Sequence, residues 1–361
     1  MKKNKKIVAL IPSFEGGGVE KNFINIMNYI KENFSEAYII SGSKIKNKML
    51  LNNIKILYPQ KFSKLENRVI KNLIVIKLFI QHFWNENVLI ISFQSSLTSI
   101  ILSKINKNTV ILRLNTDPKK YINNFIKKFL FSKLYKLSDK IIVNSKEFKK
   151  NLFKILNIKS EVILNPFKKE KMRLKKIDFF ENYKGLKILN IGRLTDQKNQ
   201  KTLLKSMIEL RNRNINFRLC IIGRGYKYKE LYNIIKKNNL NNHVRLLGYK
   251  KDGSAYIKCA DLFVLTSKYE GLPNVLLEAQ YAGVPIISSN CPSGPKEILL
   301  NGKLGGLFKV DDYKTLSKKI INFLENKTLY KNKAILAKKK LDRFDYHKNL
   351  KRYKQLIQRQ L

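Results

Sequence analysis

The chain has 361 residues, of which 44% are apolar, and it carries 73 Lys and Arg against 26 Asp and Glu, a formal charge of +47. This length exceeds that of a typical single domain and predicts two domains with packed cores. The three cysteines lack metal-type spacing and favour a reducing compartment. The first six residues are basic and run directly into a short predicted strand, which is unlike a signal peptide. No uncharged apolar run reaches the ~18 residues that a membrane-spanning helix needs. We expect a soluble protein, or one that touches a membrane only at its surface.

The positive charge permits more than one interpretation. Lys, Asn and Ile are abundant together, as in proteins from AT-rich genomes, so the lysine excess can be compositional drift. A strongly basic chain also suits nucleic acid or an anionic membrane surface. The lysines are spread along nearly the whole chain rather than gathered in a basic tail, which disfavours nucleic acid as the partner.

Short apolar strands alternate with helices along the first half of the chain. Strands are predicted at residues 7–11, 37–40, 88–92, 110–112, 140–144 and 161–164, and a helix at 19–30 follows the glycines Gly16, Gly17 and Gly18. This alternation predicts a parallel sheet with helices on both faces, and hence an α/β domain over residues 1–167. The polar, lysine-rich residues 168–185 are predicted to be a linker.

Part of the first half is especially basic. Residues 101–176 contain 21 Lys or Arg and 5 Asp or Glu. Within them, residues 121–137 place apolar side chains at helical spacing among lysines. Such a segment predicts a basic amphipathic helix that can lie on an anionic membrane surface.

A second alternating set predicts another α/β domain over residues 186–340. Its strands are expected at 186–191, 218–222, 244–247, 262–266, 285–288 and 306–308, with a helix at 314–324 and a last segment, 341–361, that crosses back as a helix to the first domain. Glycines follow directly after several of these strands, namely Gly192, Gly223, Gly225, Gly248 and Gly271. Each alone is compatible with an ordinary turn. Because ligands bind outside the carboxyl ends of parallel strands, the glycine loops together predict one crevice.

The segment 266–285 places a helix start beside two carboxylates. A Gly-Leu-Pro turn precedes a helix predicted at 274–282, which Gly283 ends. The helix start suits a phosphate through the backbone N–H groups of Gly271, Leu272, Asn274 and Val275. Glu278 lies one turn further on, where it can accept hydrogen bonds from two ribose hydroxyls, and Glu270 lies nearer the reacting end of the ligand. Both glutamates taken alone are also compatible with solvated surface carboxylates.

The loop at residues 192–199 adds two cations, Arg193 and Lys198. Arg can hold phosphate oxygens with two parallel hydrogen bonds and Lys is a compact charge, so the pair can stabilise a departing diphosphate. An Asp-x-Asp pair, which would hold Mg²⁺ or Mn²⁺ beside a phosphate, is absent from these loops. Asp311 and Asp312 follow the last strand and are expected to cap a helix. Solvated charges remain the alternative interpretation of Arg193 and Lys198.

These motifs resemble those of glycosyltransferase family 4, retaining enzymes with the GT-B fold of two facing Rossmann-like domains and a cleft between them. The resemblance covers most of the chain, is more specific in the second half, and rests on Gly16-Gly-Gly-Val-Glu20, Gly192-Arg-Leu-Thr-Asp-Gln-Lys-Asn199, Gly248, Ser267-Lys-Tyr-Glu-Gly-Leu-Pro273 with Glu278, Ala282-Gly-Val-Pro285 and Cys291-Pro-Ser-Gly-Pro-Lys-Glu297.

The resemblance implies that the second domain binds a nucleotide diphosphate sugar and the first domain the acceptor. The expected donor contacts are Glu278 at the ribose, Glu270 at the sugar, Arg193 and Lys198 at the diphosphate, Gly16, Gly17 and Gly18 over the phosphates, Gly271, Leu272, Asn274 and Val275 at the helix start, and Gly223, Arg224, Gly248 and Tyr249 around the base. Glu270, Arg193 and Lys198 are the expected catalytic residues. The family needs no metal ion, so neither a metal nor another cofactor is expected.

One departure from the family concerns the first domain. Many relatives carry a His after a strand near the reacting carbon, whereas the corresponding stretch here, residues 111–117, has none. Arg113 and Asn115 become candidates for acceptor or sugar contacts. A role for both in the core or in a turn is an equally open interpretation.

The implied activity is transfer of a hexose or N-acetylhexosamine, with UDP the commonest nucleotide of the family, to a glycan or lipid-linked glycan of surface polysaccharide or lipopolysaccharide. The expected location is the cytoplasm, at the inner face of the cytoplasmic membrane. Two other classes stay open: a nucleic-acid-binding protein, favoured only by the charge, and a nucleotide-sugar epimerase, which would isomerise its donor without an acceptor.

Overall fold

The computed structural model describes residues 5–14, 18–44, 51, 54–59, 67–169 and 179–361. The chain divides into two compact units. Unit 1 comprises Met1–Pro166 together with Phe344–Leu361, and unit 2 comprises Phe167–Arg343. The first boundary falls one residue before the predicted end of the first domain, and much of the linker predicted at 168–185 lies outside the described residues.

Among the described residues, unit 1 contains a parallel sheet of seven strands in the order β3-β2-β1-β4-β5-β6-β7. Most of its strands are buried on both faces, as expected where helices cover both sides of a parallel sheet. The strands are Lys6–Ile11 (β1), Ala37–Ser41 (β2), Lys55–Leu57 (β3), Val88–Phe93 (β4), Thr109–Leu114 (β5), Lys140–Val143 (β6) and Glu161–Val162 (β7).

The helices that follow these strands lie on two faces of the sheet. They are Gly18–Asn33 (α1), Arg68–Phe83 (α2), Ser96–Ile105 (α3), Phe125–Lys136 (α4) and Lys146–Leu156 (α5). Helix α1 contributes Phe23 and Met27 to one core, whereas α2, α3, α4 and α5 bury side chains in the core on the opposite face.

Helix α4 is shorter than the sequence predicts. The predicted helix at residues 121–137 is wrong at its start, because Asn124 accepts a hydrogen bond from the backbone N–H of Lys127 and begins the helix at Phe125. A short 3-10 helix, Pro118–Lys120, comes before it.

Unit 2 contains a second parallel sheet, with six strands among its described residues in the order β10-β9-β8-β11-β12-β13. They are Leu186–Ile191 (β8), Phe217–Ile222 (β9), Val244–Leu246 (β10), Leu262–Leu265 (β11), Ile286–Ser289 (β12) and Gly306–Phe308 (β13). All six predicted strands of this half are present, with ends that differ by at most one residue.

The helices of unit 2 are Gln200–Asn212 (α6), Tyr228–Lys237 (α7), Asn274–Ala282 (α8), Pro295–Ile298 (α9), Tyr313–Glu325 (α10) and Lys327–Lys339 (α11). Helix α8 ends where the sequence predicts, because Gly283 adopts the left-handed conformation at φ 72°. Asp312 caps α10 as expected: its side chain accepts a hydrogen bond from the N–H of Thr315, which lowers the pKa of this carboxyl.

The last helix, Tyr346–Gln358 (α12), belongs to unit 1 although unit 2 precedes it in the chain. It contacts α1 and buries Leu350, Tyr353, Leu356 and Ile357 in the core on that face of the sheet. Lys354 adds a hydrogen bond to the side chain of Asn33 at 2.9 Å.

Candidate active site

The loops at the carboxyl edge of the unit 2 sheet are hydrogen-bonded to one another in strand order. Gly192 N–H donates to the carbonyl of Ile222 at 3.0 Å, which extends the pairing of β8 and β9 past their ends. Gly223 N–H then donates to the carbonyl of Gly248 at 2.8 Å. The glycine loops after β8, β9 and β10 therefore form one continuous backbone surface.

Two glycines make this close approach possible. A Cβ on Gly223, whose φ is +154°, would lie 1.8 Å from the carbonyl oxygen of Gly192, and a Cβ on Gly225 would lie 2.2 Å from that of Leu194. Both contacts are with backbone atoms, which cannot swing aside as a flexible side chain can. The two glycines of the Gly-Arg-Gly sequence after β9 are thus required by the close packing of the two loops, as well as by the turn.

Lys198 and Glu270 form a buried ion pair across two of these loops. The Nζ of Lys198 lies 2.5 Å from Oε1 of Glu270, and their side chains are only 17% and 8% exposed. Ser267 Oγ donates to the same carboxylate oxygen at 2.6 Å. Lys198 and Glu270 are 72 positions apart in sequence, on the loops after β8 and β11, and the folded sheet brings them together as one ion pair.

The backbone fixes the position of this pair from both sides. Thr266 Oγ1 donates to the carbonyl of Lys198 at 2.9 Å, and the N–H of Lys268 donates to the carbonyl of Gln197 at 2.8 Å. Ser267 belongs to a motif of the family resemblance, but neither Ser267 nor Thr266 was predicted as a site residue. Both could have been, since they are polar residues that follow β11 directly at the edge of the sheet where ligands bind.

The loop after β12 supports Glu270 from the other side. Glu270 N–H donates to the carbonyl of Pro292 at 2.7 Å, and Ser293 N–H donates to the carbonyl of Glu270 at 3.2 Å. A Cβ on Gly294 would lie 2.2 Å from the carbonyl oxygen of Gly271. The segment Cys291-Pro-Ser-Gly294 therefore supports the turn that carries Glu270 into α8.

Cys291 lies in this supporting loop and is not suited to act as a nucleophile. Burial raises the pKa of its thiol above the ordinary range, and the negative charge of Glu270 raises it further. The thiol therefore stays protonated at neutral pH and packs as a small apolar group.

Helix α8 begins four residues after Glu270, with Pro273 at its N-cap. The backbone N–H groups of Asn274 and Val275 lie in the first turn, where the helix dipole favours a negative charge. Glu278 lies one turn later and is buried. The predicted helix start and both predicted glutamates thus lie on one stretch of structure.

The remaining predicted donor residues of unit 2 lie on the glycine loops. Arg193 is exposed, and its carbonyl accepts a hydrogen bond from the side chain of Gln200 at 3.1 Å. The guanidinium of Arg224 lies 5.0 Å from the ring centre of Tyr249, so the loops after β9 and β10 present a stacked cation and an exposed aromatic ring.

The structure also shows a support for Lys198 that the sequence did not indicate. Asn199 follows Lys198, has a left-handed backbone at φ 52°, and precedes α6. Its side-chain amide donates to the carboxylate of Asp311 at 2.9 Å. The loop after β13 therefore stabilises the bend that turns Lys198 toward Glu270.

The site residues predicted in unit 1 are three consecutive glycines and the pair Arg113 and Asn115. Gly16 and Gly17 lie outside the described residues, and Gly18 is the first residue of α1. Arg113 is 1% exposed and donates hydrogen bonds to Tyr353 Oη at 2.7 Å, to Asn165 Oδ1 at 2.9 Å and to the side chain of Asn115. These contacts are those of a core residue that links β5 to α12, and an acceptor contact of Arg113 or Asn115 stays a prediction.

Three other features bear on what the chain binds. Among the described residues, no group of three or more His, Cys, Asp and Glu side chains is arranged to hold a metal ion, and no helix has the length and apolar character to cross a membrane. A cleft of about 970 Å³ lies at the β6–β7 edge of unit 1 and shares no residue with the predicted site; lysines line much of it.

Comparison with known proteins gives a consistent result. Residues 171–340 match the family described as Glycosyl transferases group 1. An uncharacterized glycosyltransferase of Methanocaldococcus jannaschii is 30% identical over 94% of this chain and 97% of its own length. The N-acetylgalactosamine-N,N'-diacetylbacillosaminyl-diphospho-undecaprenol 4-alpha-N-acetylgalactosaminyltransferase of Campylobacter jejuni is 29% identical, covering 69% of this chain and 70% of that protein.

The fold also matches solved structures. The structure of Anabaena HepE in complex with UDP aligns with a TM-score of 0.79 over 98% of this chain and 99% of that chain, at 19% sequence identity. The predicted fold class is confirmed: the chain is an α/β protein of the GT-B type, with a parallel sheet in each unit. It belongs to the group 1 glycosyltransferases and is a glycosyltransferase.

Proposed function

We propose that the protein is a retaining, metal-independent glycosyltransferase. It moves a hexose or N-acetylhexosamine from a nucleotide diphosphate sugar to a glycan or lipid-linked glycan, and UDP is the proposed nucleotide. The observation that carries this proposal is the buried pair of Lys198 and Glu270, which lies at the carboxyl edge of the unit 2 sheet, with Glu270 four residues before the start of α8. A cation and a helix start suit the diphosphate of such a donor, and a carboxylate suits its sugar hydroxyls.

The diphosphate is the ligand part that this arrangement fits best. The ammonium of Lys198 has three N–H donors, of which one is directed at Glu270, so the others are suited to phosphate oxygens. Arg193 on the same loop and the first N–H groups of α8 add positive charge. As the sugar departs, negative charge grows on the diphosphate, and groups already fixed in place stabilise it without reorganisation.

Glu270 is the group proposed to contact the donor sugar. Within the part of the chain that the structure describes, its hydrogen bonds from Lys198 and Ser267 both fall on Oε1. Oε2 is then suited to accept from a sugar hydroxyl. Glu278, one turn into α8, is proposed to accept from the ribose hydroxyls, and the exposed ring of Tyr249 is proposed to lie beside the base.

The proposed chemistry is a front-face substitution. The bond between the anomeric carbon and the diphosphate oxygen breaks, the acceptor oxygen bonds to the same face of that carbon, and the acceptor proton passes to the leaving diphosphate. No enzyme nucleophile is needed, and the configuration at the anomeric carbon is retained. Lys198, Arg193 and the α8 start supply the charge that a divalent metal would otherwise supply.

The acceptor is proposed to be a lipid-linked glycan of surface polysaccharide or lipopolysaccharide, met at the inner face of the cytoplasmic membrane. The Campylobacter jejuni relative is named for a diphospho-undecaprenol substrate. Basic residues 101–176 of this chain support a contact with an anionic membrane.

A panel of nucleotide sugars with extracted lipid-linked glycans tests the proposal. We expect one donor to yield a glycosylated lipid and free nucleoside diphosphate by mass spectrometry, an α-linked product from an α-linked donor by NMR, and unchanged rates in EDTA. Activity abolished by EDTA and restored by Mn²⁺ would overturn the metal-free mechanism. An isomerised donor formed without any acceptor would identify an epimerase instead.

A further inference from the structure

Three neighbouring helices of unit 1 expose large apolar side chains. On α4, Phe125 and Ile126 are 78% and 76% exposed. Scattered exposed apolar residues are normal, but a set this large on adjacent helices marks an interaction surface. We call this set the apolar face; its members are Val69, Leu73, Ile80 and Trp84 on or at the end of α2, Leu97, Ile101 and Ile105 on α3, and Phe125, Ile126, Phe129 and Leu130 on α4.

The members of the apolar face point in one direction. Helix α3 contacts both α2 and α4, so the three helices lie side by side. Each buries its other side in the same core against the same face of the sheet, through Phe79, Ile100 and Tyr135 respectively. The exposed sides of all three helices must therefore be turned away from the sheet.

Charge selects the partner of this face. None of the three helices contains Asp or Glu, whereas α2 carries three Lys or Arg, α3 one and α4 four. On α4, the Nζ of Lys133 lies 5.5 Å from the ring centre of Phe129, so cationic and apolar groups are interleaved. Apolar side chains among lysines, with no acidic group, match the boundary between acyl chains and anionic headgroups.

The same charge argues against a second copy of this chain as the occupant. A symmetric dimer through the apolar face would bring the patch against itself. The lysines of α4 in one copy would then face those of the other, and such juxtaposition of like charges is unfavourable.

We propose that α2, α3 and α4 together form a docking surface for an anionic phospholipid bilayer, with the apolar face in the interfacial layer and the lysines at the lipid phosphates. The proposal extends the membrane contact of the proposed function from the basic residues 101–176 to a defined surface on three helices. It rests on that function only for its biological purpose, since lipid binding can be measured without donor, acceptor or turnover.

Trp84 provides a direct test, because it is the single tryptophan of the chain and lies at the edge of the apolar face. We expect its fluorescence to shift to shorter wavelength with vesicles of mixed phosphatidylglycerol and phosphatidylcholine, and brominated lipid to quench it. Vesicles of phosphatidylcholine alone should have a weaker effect, and added salt should reduce binding. An unchanged Trp84 spectrum with the anionic vesicles would overturn the proposal.

Two double variants test whether all three helices take part. Phe125→Ser with Phe129→Ser changes α4, and Leu73→Ser with Ile105→Ser changes α2 and α3 at side chains that are 58% and 60% exposed. Each pair should weaken vesicle binding in sedimentation by about tenfold or more, from the apolar area withdrawn from the interface. If only the α4 pair matters, the three-helix surface is wrong.

A matched control lies on unit 2. Ile335→Ser with Leu336→Ser removes side chains that are 57% and 43% exposed on the lysine-rich α11 and should leave binding unchanged. An equal loss in this control would mean that the contact is not specific to the apolar face. A wild-type dimer that the α4 pair converts to a monomer would assign the face to a second copy. Thermal unfolding checks that every variant is folded, and UDP binding by calorimetry reports separately on the proposed function.

Discussion

The properties of Lys198 follow from its burial beside Glu270. An exposed ion pair contributes little to stability, but this one is mostly removed from water, so its two charges interact strongly. Removal of either partner would leave an unpaired buried charge, which is strongly destabilising. The same burial lowers the local dielectric, so the ammonium stabilises the negative charge that develops on the diphosphate more strongly than it would in water. One residue therefore has both a structural and a proposed catalytic role.

Replacement of Lys198 by Ala tests the catalytic role. We expect kcat to fall by a factor equivalent to about 2–4 kcal/mol, because a charge partner of the transition state is lost, while KM for the donor changes less. Lys201→Ala is the matched control, since that lysine has a largely exposed side chain on α6. A rise in KM with unchanged kcat would mean that Lys198 only binds the ground state. Because Glu270 loses its partner, thermal unfolding of the variant must be measured as well.

The residues of the site differ in how far sequence could predict them. Lys198 and Glu270 were predicted because they lie in loops that follow apolar strands, and Glu278 because it lies one turn into a recognisable helix. Asn199 and Asp311 were not linked, since 112 positions separate them and only the folded sheet brings their loops together. For Arg113 the sequence favours a site residue, because it follows a predicted strand. Its hydrogen bonds to Tyr353 and Asn165, which are those of a core residue, can be seen only in the structure.

At the scale of elements, loop packing is the property that positions the site. The backbone after β9 approaches the backbone after β8 so closely that only hydrogen fits in place of a side chain at Gly223. Any displacement there moves the loop of Arg193 and Lys198 relative to the loop of Gly248 and Tyr249. The donor site should therefore be more sensitive to this glycine than the fold is.

Substitution of Gly223 by Ala tests that coupling. We expect UDP binding measured by calorimetry to weaken by about tenfold or more, because the added Cβ forces the first two loops apart. Gly302→Ala is the control: it shares a positive φ, at +92°, but its nearest non-neighbouring atom would be 3.7 Å from the Cβ. Both variants should lose some stability from backbone strain. Equal UDP affinities for the two variants would contradict a specific role for the loop contact.

The elements themselves were predictable where one pattern dominated. The strands of unit 2 are short apolar runs bounded by glycine or polar residues, and their ends were predicted to within a residue. Helix α2 was not predicted, because apolar residues lie on its exposed side as well as its buried side and so obscure the helical period. Strand β3 has only three residues and lies at the sheet edge, which leaves too little pattern to recognise.

At the scale of the whole molecule, the chain returns to unit 1 after completing unit 2. Residues Phe344–Leu361 belong to unit 1, although unit 2 precedes them in sequence. Helix α12 covers the sheet face that α1 covers only in part, and its buried residues share a core with β1 and β4. The folding of unit 1 therefore depends on residues that follow unit 2 in sequence.

Truncation of Leu356 to Ala tests this dependence. The side chain is fully buried in the core shared with α1, so its removal should cost about 2–5 kcal/mol of unfolding free energy. Hydrogen exchange should then speed up in α1 and β1, because the cavity lies in their core, while the amides of β8 and β11 keep their protection. Gln355→Ala, one residue earlier on the exposed side of α12, should change neither. Equal loss of protection in both units would contradict this local dependence, because the cavity would then destabilise the chain as a single cooperative body.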